Sequence, residues 1–250
     1  MPTAPRSVHA ELEKRLLAGD ANRVAMEVID AWAVDQRELR VLELGLEAAA
    51  IIDNSNVFVQ LLSNPLIEDV PAAGSTIVLA SRILKDGIAR GWESPQRVLI
   101  RSKQQTGTKD VFLLDLLART VAKALECDPC GFSASDALWM AAQCGQRPDH
   151  VERVITMLES ARSREATVLQ QVQLDEALGD AYGFQLHLVK QVLVSQYLTP
   201  TTRELGERTQ ARKLECAMES YKRAIGLALE EQHQDEQVDA IRKKLAAIEL

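Results

Sequence analysis

The chain has 250 residues, a net charge of −7, and 46% apolar residues of which few are aromatic. A chain of this length can bury a sizeable core; here that core must rest on Leu, Val, Ile and Ala, a composition that leans towards helix. The acidic balance excludes a general affinity for nucleic acid or an anionic bilayer, no apolar run is long enough to cross a membrane, and four cysteines are too few for a disulfide scaffold.

Residues 1–6 have no apolar stretch of the secretory kind and read as a disordered tail, so a cytoplasmic protein is expected. Ser7 can cap a first helix through Leu17, and Gly19-Asp20 ends it and caps the next. The second helix sets Val24, Val28 and Ile29 on one face, with Trp32 one turn on. Asp35-x-x-Glu38 has the form of a capping box and opens a third helix to about Ile52, striped by Leu39, Leu42, Leu46 and Ala49. Asp53-Asn54-Ser55-Asn56 is a turn, after which Val57 to Leu62 resumes a short helix. Residues 64–75, holding Pro65, Pro71 and Gly74, are the longest irregular stretch to that point and a candidate sub-boundary.

Thr76 to Ala80 is rich in β-branched residues, yet Ile83 and Leu84 continue it at helical spacing, so helix is expected there with Gly87 near its end. Ser94-Pro95 opens a short helix that Gln104 to Gly107 interrupts. Thr108 restarts a strong one in which Val111, Leu114, Leu117, Val121 and Leu125 share a face. Pro129 and Gly131 break it, Ser133-x-x-Asp136 caps another to about Cys144, and Pro148-Asp149 starts one through Leu158. No proline interrupts Ser163 to Leu198, where a long helix is expected, bent rather than ended by Gly179 and Gly183. Pro200 stops it, and a second long helix runs to about Glu231. A last helix places Val238, Ile241, Leu245 and Ile248 on one face, with Arg242, Lys243 and Lys244 facing outward.

These elements predict an all-α chain: a tail over 1–6 and one helical domain over 7–250, built as a stack of helical hairpins with long C-terminal helices. Paired helices cannot bury their faces alone and must stack. Leu178-Gly179-x-x-Tyr182 resembles the first helix of a tetratricopeptide repeat, and Ala217-x-x-x-Tyr221-x-x-Ala224 resembles the second. The resemblance covers about a quarter of the chain, and it implies an α-solenoid whose concave face binds a peptide or helix. The chain departs from the pattern in having Asp175 where the family usually has Trp, no proline after Ala224, and Gly179 and Ala217 too far apart for one repeat. An irregular helical bundle is the alternative.

Two clusters carry candidate chemistry. Cys127-Asp128-Pro129-Cys130, with Cys144 and His150, has the residue types for tetrahedral zinc, although buried structural thiols fit the same pattern. The Cys-x-x-Cys pair lacks the βαβ setting of a redox site. Arg97, Arg101, Lys103 and Lys109 form a basic segment with no acidic residue from Ser94 to Thr108, suited either to an acidic peptide or to plain solvation. Neither the glycine spacing of a phosphate loop nor stacking aromatics accompany it.

His187 lies in the apolar run Phe184 to Val194 and is expected in the core or a groove. No catalytic motif appears, so an enzyme is not expected. The expected function is a non-catalytic interaction module (adaptor, scaffold or chaperone-like subunit) binding a protein segment in a helical groove. Arg97, Arg101, Lys103, Lys109, Tyr182, His187 and Tyr221 are its candidate contact residues. No cofactor, nucleic acid or membrane insertion is expected, and self-association through the long hairpin is a further possibility. The alternative is a zinc- or small-molecule-binding sensor or enzyme using Cys127, Cys130, Cys144 and His150. The run Leu186 to Leu198 is apolar on more than one face and must be either central or covered by a partner.

Overall fold

The computed structural model describes residues 8–33, 38–63, 74–94, 111–127, 132–163, 167–195, 197–230 and 235–249; the side chains of 31–33, 111, 122, 125–127, 235 and 249 lie outside that description. Among the described residues there are eleven helices and no strand. They fall into two compact units, Met1–Gly131 and Phe132–Leu250, each with its own buried core. The division comes at Gly131, whereas the candidate sub-boundary at 64–75 falls within the first unit.

The first unit holds α1 (Val8–Leu17), α2 (Ala21–Ala33), α3 (Leu39–Ile51), α4 (Ser55–Leu62), α5 (Gly74–Arg90) and α6 (Val111–Cys127). Helix α3 is its hub, packing against α1, α2, α4 and α5, while α6 packs along α5. It suits that role because Val41, Leu42, Leu44, Leu46, Ala48 and Ala49 are all buried, so apolar groups cover more than one side. Its first residue is Leu39, with Glu38 at the N-cap making no side-chain cap hydrogen bond. The expected cap residue Asp35 lies outside the described residues.

Between α3 and α4 the chain turns at Asp53, which takes φ +53°, and Asn54 then caps α4 by accepting from Asn56 N at 3.1 Å and Val57 N at 3.2 Å. Tertiary contacts hold this turn. Trp92 donates from Nε1 to Asp53 Oδ1 at 2.6 Å, and its ring packs on Phe58 and on the backbone at Gly87, where a Cβ would meet ring atoms at 2.2–2.7 Å. The β-branched segment from Thr76 is helical, with Ile77 and Val78 buried and Thr76 Oγ1 donating to Glu43 Oε1 of α3 at 2.9 Å. Burial against α3 and α6 decides a segment whose propensity points both ways.

The second unit holds α7 (Ala134–Cys144), α8 (Val151–Arg162), α9 (Val168–Leu193), α10 (Pro200–Glu230) and α11 (Asp235–Glu249). Ser133 and Asp136 form the expected capping box on α7, and Thr167 with Gln170 forms another on α9. Helix α9 continues without interruption through Gly179 and Gly183 and stops at Leu193, before Pro200. Pro200 instead occupies the first position of α10, where its missing N–H costs nothing, and Thr199 Oγ1 accepts from Thr202 N at 3.2 Å. Each helix packs on the next in the chain, and α7 also reaches α9. The C-terminal core joins Val172 of α9, Tyr221, Ala224 and Ala228 of α10, and Val238 and Ile241 of α11.

Candidate interaction surface

The α9–α10 hairpin is built on small residues and one tyrosine. On α10 the buried positions are Ala217, Ser220, Tyr221, Ala224 and Ala228, so the helices can approach closely wherever alanine or serine faces the partner. Tyr221 occupies the gap left by Gly179: a Cβ on that glycine would lie 2.5–2.8 Å from three of its ring atoms. Farther along, Gly206 meets Leu193, and the two pairs together (179 with 221, 193 with 206) show that the helices run antiparallel.

Polar groups fix the register of the buried half. Tyr221 Oη donates to Asp180 Oδ1 at 2.7 Å, while Lys244 of α11 donates to Asp180 Oδ2 at 2.7 Å and to Glu176 Oε1 at 2.8 Å. Burial and the Asp180 carboxylate both favour the neutral phenol and push Tyr221 above its ordinary range. For Lys244 burial acts the other way, but hydrogen bonds to Asp180 and Glu176 outweigh it and hold the ammonium above its usual value. Lys244 was expected to face solvent with Arg242 and Lys243. It is half-buried because two carboxylates of α9 lie within its reach.

Asp175, which departs from the tetratricopeptide pattern, has a structural use. Its buried carboxylate lies 3.4 Å from Arg162 Nη1 and 3.2 Å from Arg223 Nε, linking α8, α9 and α10. Arg223 also donates from Nη2 to Ser220 Oγ at 3.2 Å. The planar guanidinium suits such shared contacts, and both arginines keep part of their surface in water, which limits the desolvation cost.

Beyond this root the hairpin changes character. From His187 to Cys216 no described residue is buried, although both helices continue. Residues 200–216 alone extend α10 by about 25 Å. Large apolar groups are exposed at the far end: Val192 at 58%, Val194 at 85%, Tyr197 at 87% and Leu205 at 65%. Val192 and Leu205 flank the Leu193–Gly206 contact, and Val194 and Tyr197 lie in the connection between the helices. Of the apolar run Leu186 to Leu198, only Leu186 is buried among the described residues. The run is therefore not central.

The expected contact residues separate accordingly. Tyr221 is enclosed and serves the hairpin itself. Tyr182 is half-buried and donates to Glu159 Oε1 at 2.6 Å, with Lys213 Nζ 5.3 Å from the centre of its ring; burial first, then the Glu159 carboxylate, pushes its phenol up. His187 was expected in the core or a groove. It is exposed, with Nε2 2.8 Å from Gln191 Nε2, because it sits one residue past the last buried turn of α9. Arg97, Arg101, Lys103 and Lys109 lie outside the described residues, as do Cys130 and the side chain of Cys127. The remaining candidate metal ligands, Cys144 and His150, are both buried; Cys144 ends α7 and His150 stands at the N-cap of α8. No group of three or more metal-ligating residues converges among the described residues.

No helix among the described residues is long and apolar enough to cross a membrane. No protein-family model, curated protein or solved structure matches the chain.

Proposed function

We propose that this chain is a protein–protein interaction module that engages its partner through the far end of the α9–α10 hairpin. One observation carries the proposal: four large apolar side chains, Val192, Val194, Tyr197 and Leu205, are exposed together on an arm whose root is fixed by burial. Concentrated apolar exposure is a mark of a binding surface, because leaving each such group in water forgoes the free energy of covering it. Tyrosine is also among the residues that most often dominate binding energy at interfaces. The rigid root favours affinity by lowering the conformational entropy lost on docking. A tetratricopeptide-like character of the hairpin belongs to the same proposal, supported by the fit of Tyr221 against Gly179. The partner is placed on the arm rather than in a groove beside Tyr221, since that ring is already enclosed.

The test is site-specific photocrosslinking in the cell of origin. A photoreactive phenylalanine at Tyr197 is expected to give a discrete adduct with another protein, whereas the same residue at exposed Met26 of α2 gives none of that species. Equal adduct patterns at both sites, or none at Tyr197, would overturn the proposal. Tyr197→Ser serves as the companion variant: it is expected to lose the partner while stability changes by about 0.5 kcal/mol or less, as for other exposed sites.

A further inference from the structure

The charges around the exposed apolar group indicate what kind of segment covers it. The arm from His187 to Cys216 carries five basic residues (Lys190, Arg203, Arg208, Arg212, Lys213) against three acidic ones (Glu204, Glu207, Glu215), a net +2 in a chain whose total is −7. The distribution on α10 is more specific than the sum. Leu205, Arg208 and Arg212 follow at i, i+3 and i+7 and therefore share one face of the helix. Arg208 is partly satisfied by Glu204 one turn earlier, at 2.6 Å, whereas Arg212 is exposed and makes no ion pair among the described residues. Lys190, on α9, is likewise exposed and makes no ion pair among the described residues. An apolar side chain beside outward-facing guanidinium groups is complementary to a helix with leucine-type anchors on one face and carboxylates along its edge.

Resting on the interaction role above, we infer that the occupant of the arm is an acidic amphipathic helix of a partner protein. Its apolar face covers Val192 and Leu205, and a carboxylate pairs with Arg212. A second copy of the arm is the poorer occupant, because two arms of net +2 repel each other. An anionic bilayer fits less well, since a broad layer of headgroups would meet Glu204, Glu207 and Glu215 as well as the cations, whereas a single helix can lie along the Leu205–Arg212 face alone.

The test uses the full chain and a labelled peptide of about 18 residues, five helical turns, with leucine on one face and glutamate on the other. A second peptide keeps the leucines and replaces glutamate with lysine. The glutamate peptide is expected to bind, and to bind about tenfold more weakly to Leu205→Ser and to Arg212→Glu, a change of about 1.4 kcal/mol each. Its affinity is also expected to fall as salt is raised. Both substitutions are at exposed positions, and circular dichroism melting verifies that the variants keep the fold. Equal binding of the lysine peptide overturns the inference, as does undiminished binding of the glutamate peptide to the two variants. Cosedimentation with phosphatidylserine-containing vesicles in place of peptide binding, or concentration-dependent dimerisation that Leu205→Ser abolishes, also overturns it. Failure here with a persisting Tyr197 crosslink removes the acidic-helix partner alone; loss of the crosslink removes the interaction role itself.

Discussion

The root and the arm of the α9–α10 hairpin are made by the same two helices, yet they meet opposite conditions. In the root, α9 is covered by α7, α8 and α10, and the core continues onto α11. Small residues bring the backbones together, a single tyrosine fills the space, and carboxylates at 175, 176 and 180 are each held by a cation. In the arm no described residue is buried, and apolar groups of ordinary core type remain in water. The lesson concerns what holds a helix: the arm relies on capping, propensity and the partial cover its two helices give each other, as where Leu193 meets Gly206, the root on tertiary packing.

Removing Tyr221 should separate the two regions most sharply. Tyr221→Ala opens a cavity against Gly179 and strips a partner from Asp180, with an expected loss of about 3–5 kcal/mol in the stability of the second unit. Chemical denaturation followed by helical circular dichroism measures it, and a loss comparable to that of an exposed arm substitution would contradict the buried root. The glycines come next. Gly179→Ala pushes a methyl group into a buried aromatic ring and is expected to cost about 1–3 kcal/mol. Gly206→Ala meets only the flexible end of Leu193, so the gain in helix propensity, up to about 1 kcal/mol, should make it neutral or stabilising. If both changes destabilise alike, the arm is packed as tightly as the root.

The smallest effect expected is a dependence on alkaline pH confined to the root. Tyr221 and Lys244 both hold their protons more tightly when folded than their ordinary values of 10.0 and 10.5. Protonation thus favours the folded state, so this contribution is complete below about pH 10 and is lost as pH rises through the folded values. Thermal melts of the wild type should fall progressively above pH 10, and Tyr221→Phe should flatten that decline. An unchanged slope in the variant would show that Tyr221 does not titrate with unfolding.

Much of the fold was legible in local sequence. Ser133 and Asp136, Asn54 and Pro200 act through groups within four positions of themselves, and each stands at the helix start that its chemistry suits. Residues whose environment depends on distant parts of the chain were harder to place. Lys244 belongs by spacing to an outward face, but Glu176 and Asp180 reach it from 68 and 64 positions away. His187 sits in an apolar run and yet is exposed, because the run outlasts the helices that cover it. The one signal for the arm was the apolar character of Leu186 to Leu198 on more than one face. It left open whether the cover came from this chain or from a partner.

By itself the sequence determined that the chain is helical, where most helices begin and end, and that two long helices lie near its C-terminal end. Those properties follow from backbone hydrogen bonds, caps and side-chain spacing over one or two turns. The tertiary structure decided which stretches of those helices are buried and which stand uncovered. Tyr221 finds Asp180 across 41 positions and Gly179 one residue farther, and that register settles how far the core extends along the hairpin. Val192, Val194, Tyr197 and Leu205 are chemically no different from core residues; they stand on the stretch from His187 to Cys216, where no described residue is buried.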